Sequence, residues 1–289
     1  FKVGNDGIWY TFIPEVEAGD WYFEQLFVNG KRATRAVTPD DKNYFHMLGV
    51  KQEIHKKGEG RVPVKATQTV LAQGADLDNL AGLNEAELAD VQLVVFHKWD
   101  ITRRFIDRID DDRKAVITSG TGMKPWNSWG KNQRFKLENY KGGLSKPGEW
   151  FLDRVSGVLF YIPREGEVLG SVEFVAPVIP QFILIEGKPE AGDFVGNIRF
   201  EGLAFRYAEY VMPDVGFEAA QAAAPIDAVV MVDGAKNIEF VNCEFSHFGR
   251  YGVWFRRGCQ DCVLQHCLVS DMGAGGVRIG ESVIRDNMD

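Results

Sequence analysis

Over much of its last third the chain alternates apolar with polar residues, a period of two that belongs to strands and not to helices. From residue 237 it reads Asn237-Ile238-Glu239-Phe240-Val241-Asn242-Cys243-Glu244-Phe245-Ser246, and from residue 261 Asp261-Cys262-Val263-Leu264-Gln265-His266-Cys267-Leu268-Val269-Ser270. The offset of 24 residues continues, carrying Gly249 onto Gly273, Gly252 onto Gly276, Val253 onto Val277 and Phe255 onto Ile279. An earlier copy begins Asn197-Ile198-Arg199-Phe200, and its return strand at 229–231 precedes Val253 by the same 24 residues, across an insertion at about 209–226.

The step of three between Phe240 and Cys243 requires a bend, with Asn242 and His266 at the corner. Two short strands, a bend, a glycine-containing loop and a third strand in two dozen residues describe one coil of a right-handed parallel β-helix. Each coil buries its inward face by stacking on its neighbours. The expectation is an all-β fold in which residues 197–283 form at least three coils, Cys243 lying beneath Cys267 and Phe240 beneath Leu264.

The front half has another texture. Leu26-Phe27-Val28-Asn29-Gly30-Lys31-Arg32 is a hairpin signal, because Asn-Gly tolerates the positive φ of a tight turn. Residues 149–153 and 158–162 predict a second hairpin around Ser156-Gly157. Between them, Asn84 with Glu87 three residues on predicts a short capped helix, and 91–99 and 113–119 read as strands. This divides the chain into an N-terminal β-helix part at 1–50, an inserted β-rich subdomain at 51–139 and parallel β-helix coils at 140–289.

Composition narrows the partners. Of 289 residues 45% are apolar and 26% charged, enough for a core, and 31 glycines suit many turns. A net charge of −8 argues against nucleic acid, which needs a positive field. No apolar run approaches the ~18–20 residues that span a bilayer. The sequence opens on Phe1 without a signal-like leader and stops without a closing cap. An internal segment of a longer protein is therefore expected, whose last coil presents an open apolar end.

The cysteines favour structure. Cys243, Cys262 and Cys267 fall on inward positions and Cys259 in a turn. Cys259-Gln260-Asp261-Cys262 has the spacing of a zinc or redox site, but without a second pair or a nearby His it reads as buried thiols. No metal or other cofactor is expected.

The run from Leu26 to Arg32, then Arg35 and Pro39, then Gly148-Glu149-Trp150-Phe151-Leu152-Asp153 with Gly157, Leu159, Tyr161 and Pro163, followed by Asn-Ile-x-Phe coils, resembles the bacterial parallel β-helix carbohydrate-active enzymes near glycoside hydrolase family 141. The resemblance implies a β-helix interrupted by a small β domain, α-L-fucosidase or xylanase activity on a plant or algal polysaccharide, and a secreted or periplasmic location. It also implies further coils after Asp289, on which the family's acidic pair is carried.

Glycoside hydrolysis needs two carboxyl groups, about 5–5.5 Å apart for retention and ~6.5–9.5 Å for inversion. Within this segment the candidates are Asp271 and Glu281, with turn capping as the plainer reading of Asp271. Trp254 alternates outward between Val253 and Phe255, Arg256 follows on its face, and Arg278 takes its position one coil later. That row suits sugar stacking and hydrogen bonding, unless a loop or the inserted subdomain covers the Trp. His247 stands one coil before Asp271, as an acid/base partner or as a loop hydrogen bond. A polysaccharide lyase and a non-catalytic carbohydrate-binding scaffold are the alternatives, since fold alone does not separate them.

Overall fold

The computed structural model describes residues 1–40, 42–98 and 100–281. Strands dominate, so the all-β expectation holds. Most of the pairing is antiparallel, however, and the parallel sheets are confined to one part of the chain. Two compact units are formed: Phe1–Tyr22, Ala33–Glu173 and Met212–Ala219 make one, while Phe23–Arg32, Phe174–Val211 and Ala220–Asp289 make the other. The strand-rich segment expected at 51–139 lies inside the first unit, which is wider.

In the first unit, antiparallel strands run in the order Val37–Thr38, Arg134–Glu138, Gln92–Phe96, Ile101–Asp110, Ala115–Gly120, Lys65–Leu71 and Gly49–Lys56. Lys65–Leu71 buries Ala66, Gln68 and Val70 on alternate positions, as one covered face requires. Gln92–Phe96 at the centre is buried on both faces and is the strand expected at 91–99; Trp99 lies outside the described residues. Leu93, Val95, Val116, Phe135 and Leu137 form the core with Trp129. Helix Glu85–Leu88 starts as expected: Asn84 Oδ1 accepts from the Ala86 and Glu87 amides at 2.9 and 3.1 Å, and the Glu87 carboxylate accepts from the Asn84 amide at 2.8 Å. The 149–162 hairpin forms too, with Trp150 opposite Tyr161.

The second unit holds three parallel sheets. Ile183–Glu186, Ala228–Asp233, Tyr251–Phe255 and Val277–Ile279 line up in one, Val195–Glu201, Ala235–Val241 and Val263–Gln265 in the next, and Ala204–Ala208, Glu244–Phe248 and Leu268–Met272 in the third. Register follows the 24-residue offset: Phe240 pairs with Leu264, Phe245 with Val269 and Val253 with Val277. Residue 283 of the expected coil span lies outside the described residues. Across the 209–226 insertion Phe200 meets Phe240, but the return strand sits one residue out of the expected register: Val253 pairs with Val230, 23 residues earlier, and not with Val229.

Like residues stack on like. The Phe200 and Phe240 rings lie 4.8 Å apart at 9°, and Phe205 and Phe245 5.1 Å apart at 11°. Such pairs add about 0.5–1.5 kcal/mol beyond the area they bury. Corners use left-handed backbone: Asn197, Asn237 and Asp261 have φ of 61, 53 and 51°, and Asn242 and His266 at the predicted bend have 52 and 55°. Asn tolerates this region because its short polar side chain bonds locally, and here Asn237 Nδ2 donates to Asn197 Oδ1 at 3.1 Å. The repeated glycines mark close approach, for a Cβ on Gly252 would sit 2.6 Å from the Gly276 carbonyl oxygen.

All four cysteines are free. Cys243 is buried in the coil core and its amide donates to Cys267 Sγ at 3.4 Å, so the two thiols stack without a disulfide. Burial, with Cys262 adding to it, pushes the Cys259 thiol up to about 11, so it stays protonated and inert at neutral pH. Val277–Ile279 stands at the edge of its sheet among the described residues, with Ile279 81% exposed.

Candidate functional site

Each strand of the third parallel sheet carries a left-handed residue at one equivalent place: Tyr207, His247 and Asp271, with φ of 63, 62 and 54°. Parallel pairing steps past each of them, from Arg206–Ser246 to Ala208–Phe248 and from Ser246–Ser270 to Phe248–Met272. The three side chains form one column. The Tyr207 and His247 rings stack 5.2 Å apart at 10°, and His247 Nδ1 lies 2.8 Å from Asp271 Oδ2.

The 26–32 hairpin completes this column. Phe27 packs on both Tyr207 and His247, at 5.0 and 5.2 Å. Arg32 Nε donates to Asp271 Oδ1 at 3.0 Å and its Nη2 to the Phe248 carbonyl at 3.1 Å. Burial alone would raise the Asp271 carboxyl, but the hydrogen bonds from His247 and Arg32 outweigh it and hold Asp271 below the usual carboxylate range. An ionised Asp271 accepts from Nδ1–H, which fixes the His247 tautomer with Nε2 as the basic nitrogen. The structure therefore joins two predicted residues, Asp271 and His247, and adds Arg32, which no local pattern reveals.

A second group forms where the first parallel sheet ends. Arg256 Nη1 donates to Asp233 Oδ2 at 3.1 Å, while its Nε lies 4.0 Å from Glu281 Oε1. Asp233 Oδ1 also accepts from the Arg257 amide at 3.1 Å, and Arg257 Nη1 is 3.8 Å from Glu190 Oε2. Arg256 and Glu281 thus come together around a buried carboxylate, Asp233, that pattern reading missed. Its signal was present, because Asp233 ends the return strand in register with Glu186.

Trp254 corrects the expectation of an open sugar platform. It is only 6% exposed, in one cluster with Met231 and Tyr251, against which Ala223, Ile226 and Ala274 pack. Arg278 does stand next to it in register, but its guanidinium lies 3.7 Å from the Trp254 ring centroid and Nη1 donates to the Ala224 carbonyl at 2.5 Å. Trp254 Nε1 donates to the Gly280 carbonyl at 2.7 Å. The large ring gains by leaving water once its N–H finds an acceptor, and the 222–226 stretch supplies the cover. Asp271 and Glu281 also keep separate company: Asp271 engages Arg32 and His247, whereas Glu281 faces Arg256.

In the antiparallel unit, His97, Asp100 and Glu218 bring one ligand-type atom each within 4.8 Å. Lys124 already supplies the cation, its Nζ lying 3.2 Å from Asp100 Oδ2 and 3.3 Å from Glu218 Oε1, with Arg104 Nη2 4.0 Å from Glu218 Oε2. Burial, chiefly, lowers the His97 pKa and raises that of Glu218. The cluster is an internal ion network that ties Phe217–Glu218 to strand Ile101–Asp110, with which it pairs.

A solved structure named as a glycoside hydrolase is similar over 99% of this chain and 53% of its own, with a TM-score of 0.75 and 22% identity. This likeness shows a shared fold, and the chain spans about half the length of that structure. No curated protein matches the chain significantly. No helix among the described residues is long and apolar enough to cross a membrane. The family model of the GH141 insertion domain matches residues 6–164, more than half of the chain and nearly all of the antiparallel strands just described, and on that match the chain belongs to the GH141 insertion-domain family.

Proposed function

We propose that this chain is part of a glycoside hydrolase in which the three parallel sheets are coils of a right-handed parallel β-helix, interrupted by the antiparallel unit that contains the β-rich segment at 51–139. The observation that carries the reading is the GH141 match over residues 6–164. The parallel registers support it, since stacked coils set equivalent side chains about 4.8 Å apart and so bring carboxyl groups to the spacing hydrolysis needs. The substrate is a plant or algal polysaccharide cut by a fucosidase- or xylanase-type reaction, and the protein works in the periplasm or outside the cell.

Asp271, held ionised, suits the nucleophile or base role, with His247 and Arg32 fixing its geometry and His247 Nε2 offered to a sugar hydroxyl. Glu281, with Arg256 beside it as a group that binds the sugar, is a separate candidate carboxyl, since its surroundings are not those of Asp271. Arg278 acts through Trp254, whose buried ring shapes the edge of the site and makes no sugar contact.

The test is incubation of the complete protein with fucosylated and xylan-type glycans, with products resolved by chromatography and mass. Free monosaccharide supports the proposal as an exo-acting hydrolase, and shortened saturated oligosaccharides support it as a chain-cleaving one. An unsaturated uronate, seen by its ultraviolet absorbance, indicates a lyase, and binding without product indicates a scaffold. Asp271→Asn and Glu281→Gln should each lower turnover at least about 100-fold, the lower end of general acid–base contributions. Wild-type turnover in either variant removes that residue from the chemistry.

A further inference from the structure

The GH141 unit carries a cleft outside the groups proposed for hydrolysis, sharing only His97 with the ion network described above. It has a volume of about 410 Å³ and lies where strand Gln92–Phe96 ends beside the 121–133 loop, lined by Lys98, Trp126, Ser128, Lys131, Gln133 and Arg134 among others. Ligand pockets span about 300–1,000 Å³. Trp126 is 57% exposed, with the Arg61 guanidinium 5.6 Å from its ring centroid. An exposed Trp on a loop invites an explanation, because Trp is mostly buried in folded proteins.

The loop is held rigidly from below, so the exposure is imposed and not a consequence of slack. Lys124 Nζ donates to the Ala219 carbonyl at 2.8 Å and to Asp100 Oδ2 at 3.2 Å, and Asn127 Nδ2 donates to Asp100 Oδ1 at 2.5 Å. The Asn127 amide closes a turn onto the Lys124 carbonyl at 2.9 Å, Trp129 is buried in the core, and the Gln133 side chain donates to the Phe96 carbonyl. Pro125 fixes φ within that turn. Trp126 is therefore presented outward by a pre-organised frame, which lowers the entropic cost of binding.

Charge narrows the ligand. Lys98, Lys131 and Arg134 are exposed cations in the lining, Arg134 steadied 4.7 Å over the Tyr44 ring, and no carboxylate lines the cleft among the described residues. On a chain of net charge −8 this is a local positive field. We infer that the cleft of the GH141 unit binds an acidic oligosaccharide, a sugar ring stacking on Trp126 and uronate carboxylates meeting Lys98, Lys131 and Arg134. The inference goes beyond the hydrolase reading and does not depend on it.

Calorimetric titration of the full chain with linear oligogalacturonates of three to four residues tests it, with neutral galacto-oligosaccharides of equal length as the contrast. The acidic ligand should bind at least about tenfold tighter than the neutral one and lose affinity as salt rises. Trp126→Ala and the double variant Lys131→Ala/Arg134→Ala should each weaken binding at least about tenfold, while Trp126→Ala keeps the wild-type melting temperature because its ring is exposed. Asp271→Asn should leave this binding unchanged, which separates the outcome from that of the hydrolase test. No saturable binding, equal binding of neutral and acidic sugars, or full binding by Trp126→Ala overturns the inference.

Discussion

The two units handle charge in opposite ways. The antiparallel unit takes ions inside and gives them specific partners: Arg104 and Glu218 have side chains 1% and 5% exposed in a network with Lys124, and Arg103 grips Glu138 through two hydrogen bonds. The unit of parallel sheets fills its interior with phenylalanine, valine and thiols and sets most of its charges outside, as in Arg199–Glu239 and Arg206–Glu244, with Asp233 buried only where a sheet ends. Repetition accounts for the contrast. An inward residue in one coil faces its counterpart in the next, so a charge there meets a like neighbour, whereas an apolar ring gains from each added layer. A unit without a repeat can dedicate a partner to each ion.

The largest effect should come from the coil interior. Phe240→Ala removes a ring that touches Phe200, Phe205, Phe245 and Phe255, and should cost about 4 kcal/mol in urea unfolding. A loss below about 1 kcal/mol would mean the layers close over the gap and do not depend on stacking.

Arg104→Met comes next, at about 3 kcal/mol, because it leaves Glu218 buried with Lys124 alone. Adding Glu218→Gln should recover part of that loss. A double variant no better than the single would place the energy in the shape of Arg104 and not in its charge.

A third test turns on Glu209, the acid that departs from the coil rule. Burial, with Glu24 adding to it and Arg250 opposing, raises its pKa to about 7. A raised carboxyl stabilises the folded state fully below its unfolded value of about 4.5, and that contribution fades as pH climbs through 7. Glu209→Gln should therefore match wild type in melting temperature at about pH 4 and exceed it at about pH 8. A difference of the same size at both pH values would remove the titration argument.

The smallest effect should be at the corners. Asn237→Ala puts an alanine at a φ of 53° and removes the bond to Asn197, a loss of about 1 kcal/mol. No change would mean the corner is fixed by the flanking strands alone.

Much of the coil unit was legible because period-two alternation at a constant offset specifies both strand and register, as Phe240 on Leu264 illustrates. Local codes were legible too, in the Asn29-Gly30 turn and the Asn84–Glu87 cap. What stayed hidden was non-local and unrepeated. Arg32 reaches Asp271 across 239 positions, and no window contains both. Trp254 was placed correctly on the outward side of its strand, but its cover comes from 222–226, an insertion without periodicity. Asp233 lies two residues past the 229–231 stretch that the repeat marks, so the repeat does not point to it.

The route of the backbone has a consequence for biosynthesis. Met212–Ala219 lies between two pieces of the coil unit in sequence, yet supplies Phe217 and Glu218 to the antiparallel unit, opposite Arg103 and Thr102. A ribosome emitting the chain from its amino end delivers the rest of that unit by residue 173 and then some forty residues more before the missing strand and its buried acid arrive. Until then Arg104 waits without Glu218. Nascent chains halted before residue 218 should accordingly be more open to protease at 101–110 than those released beyond it, and cutting the polypeptide at any one peptide bond liberates neither unit whole.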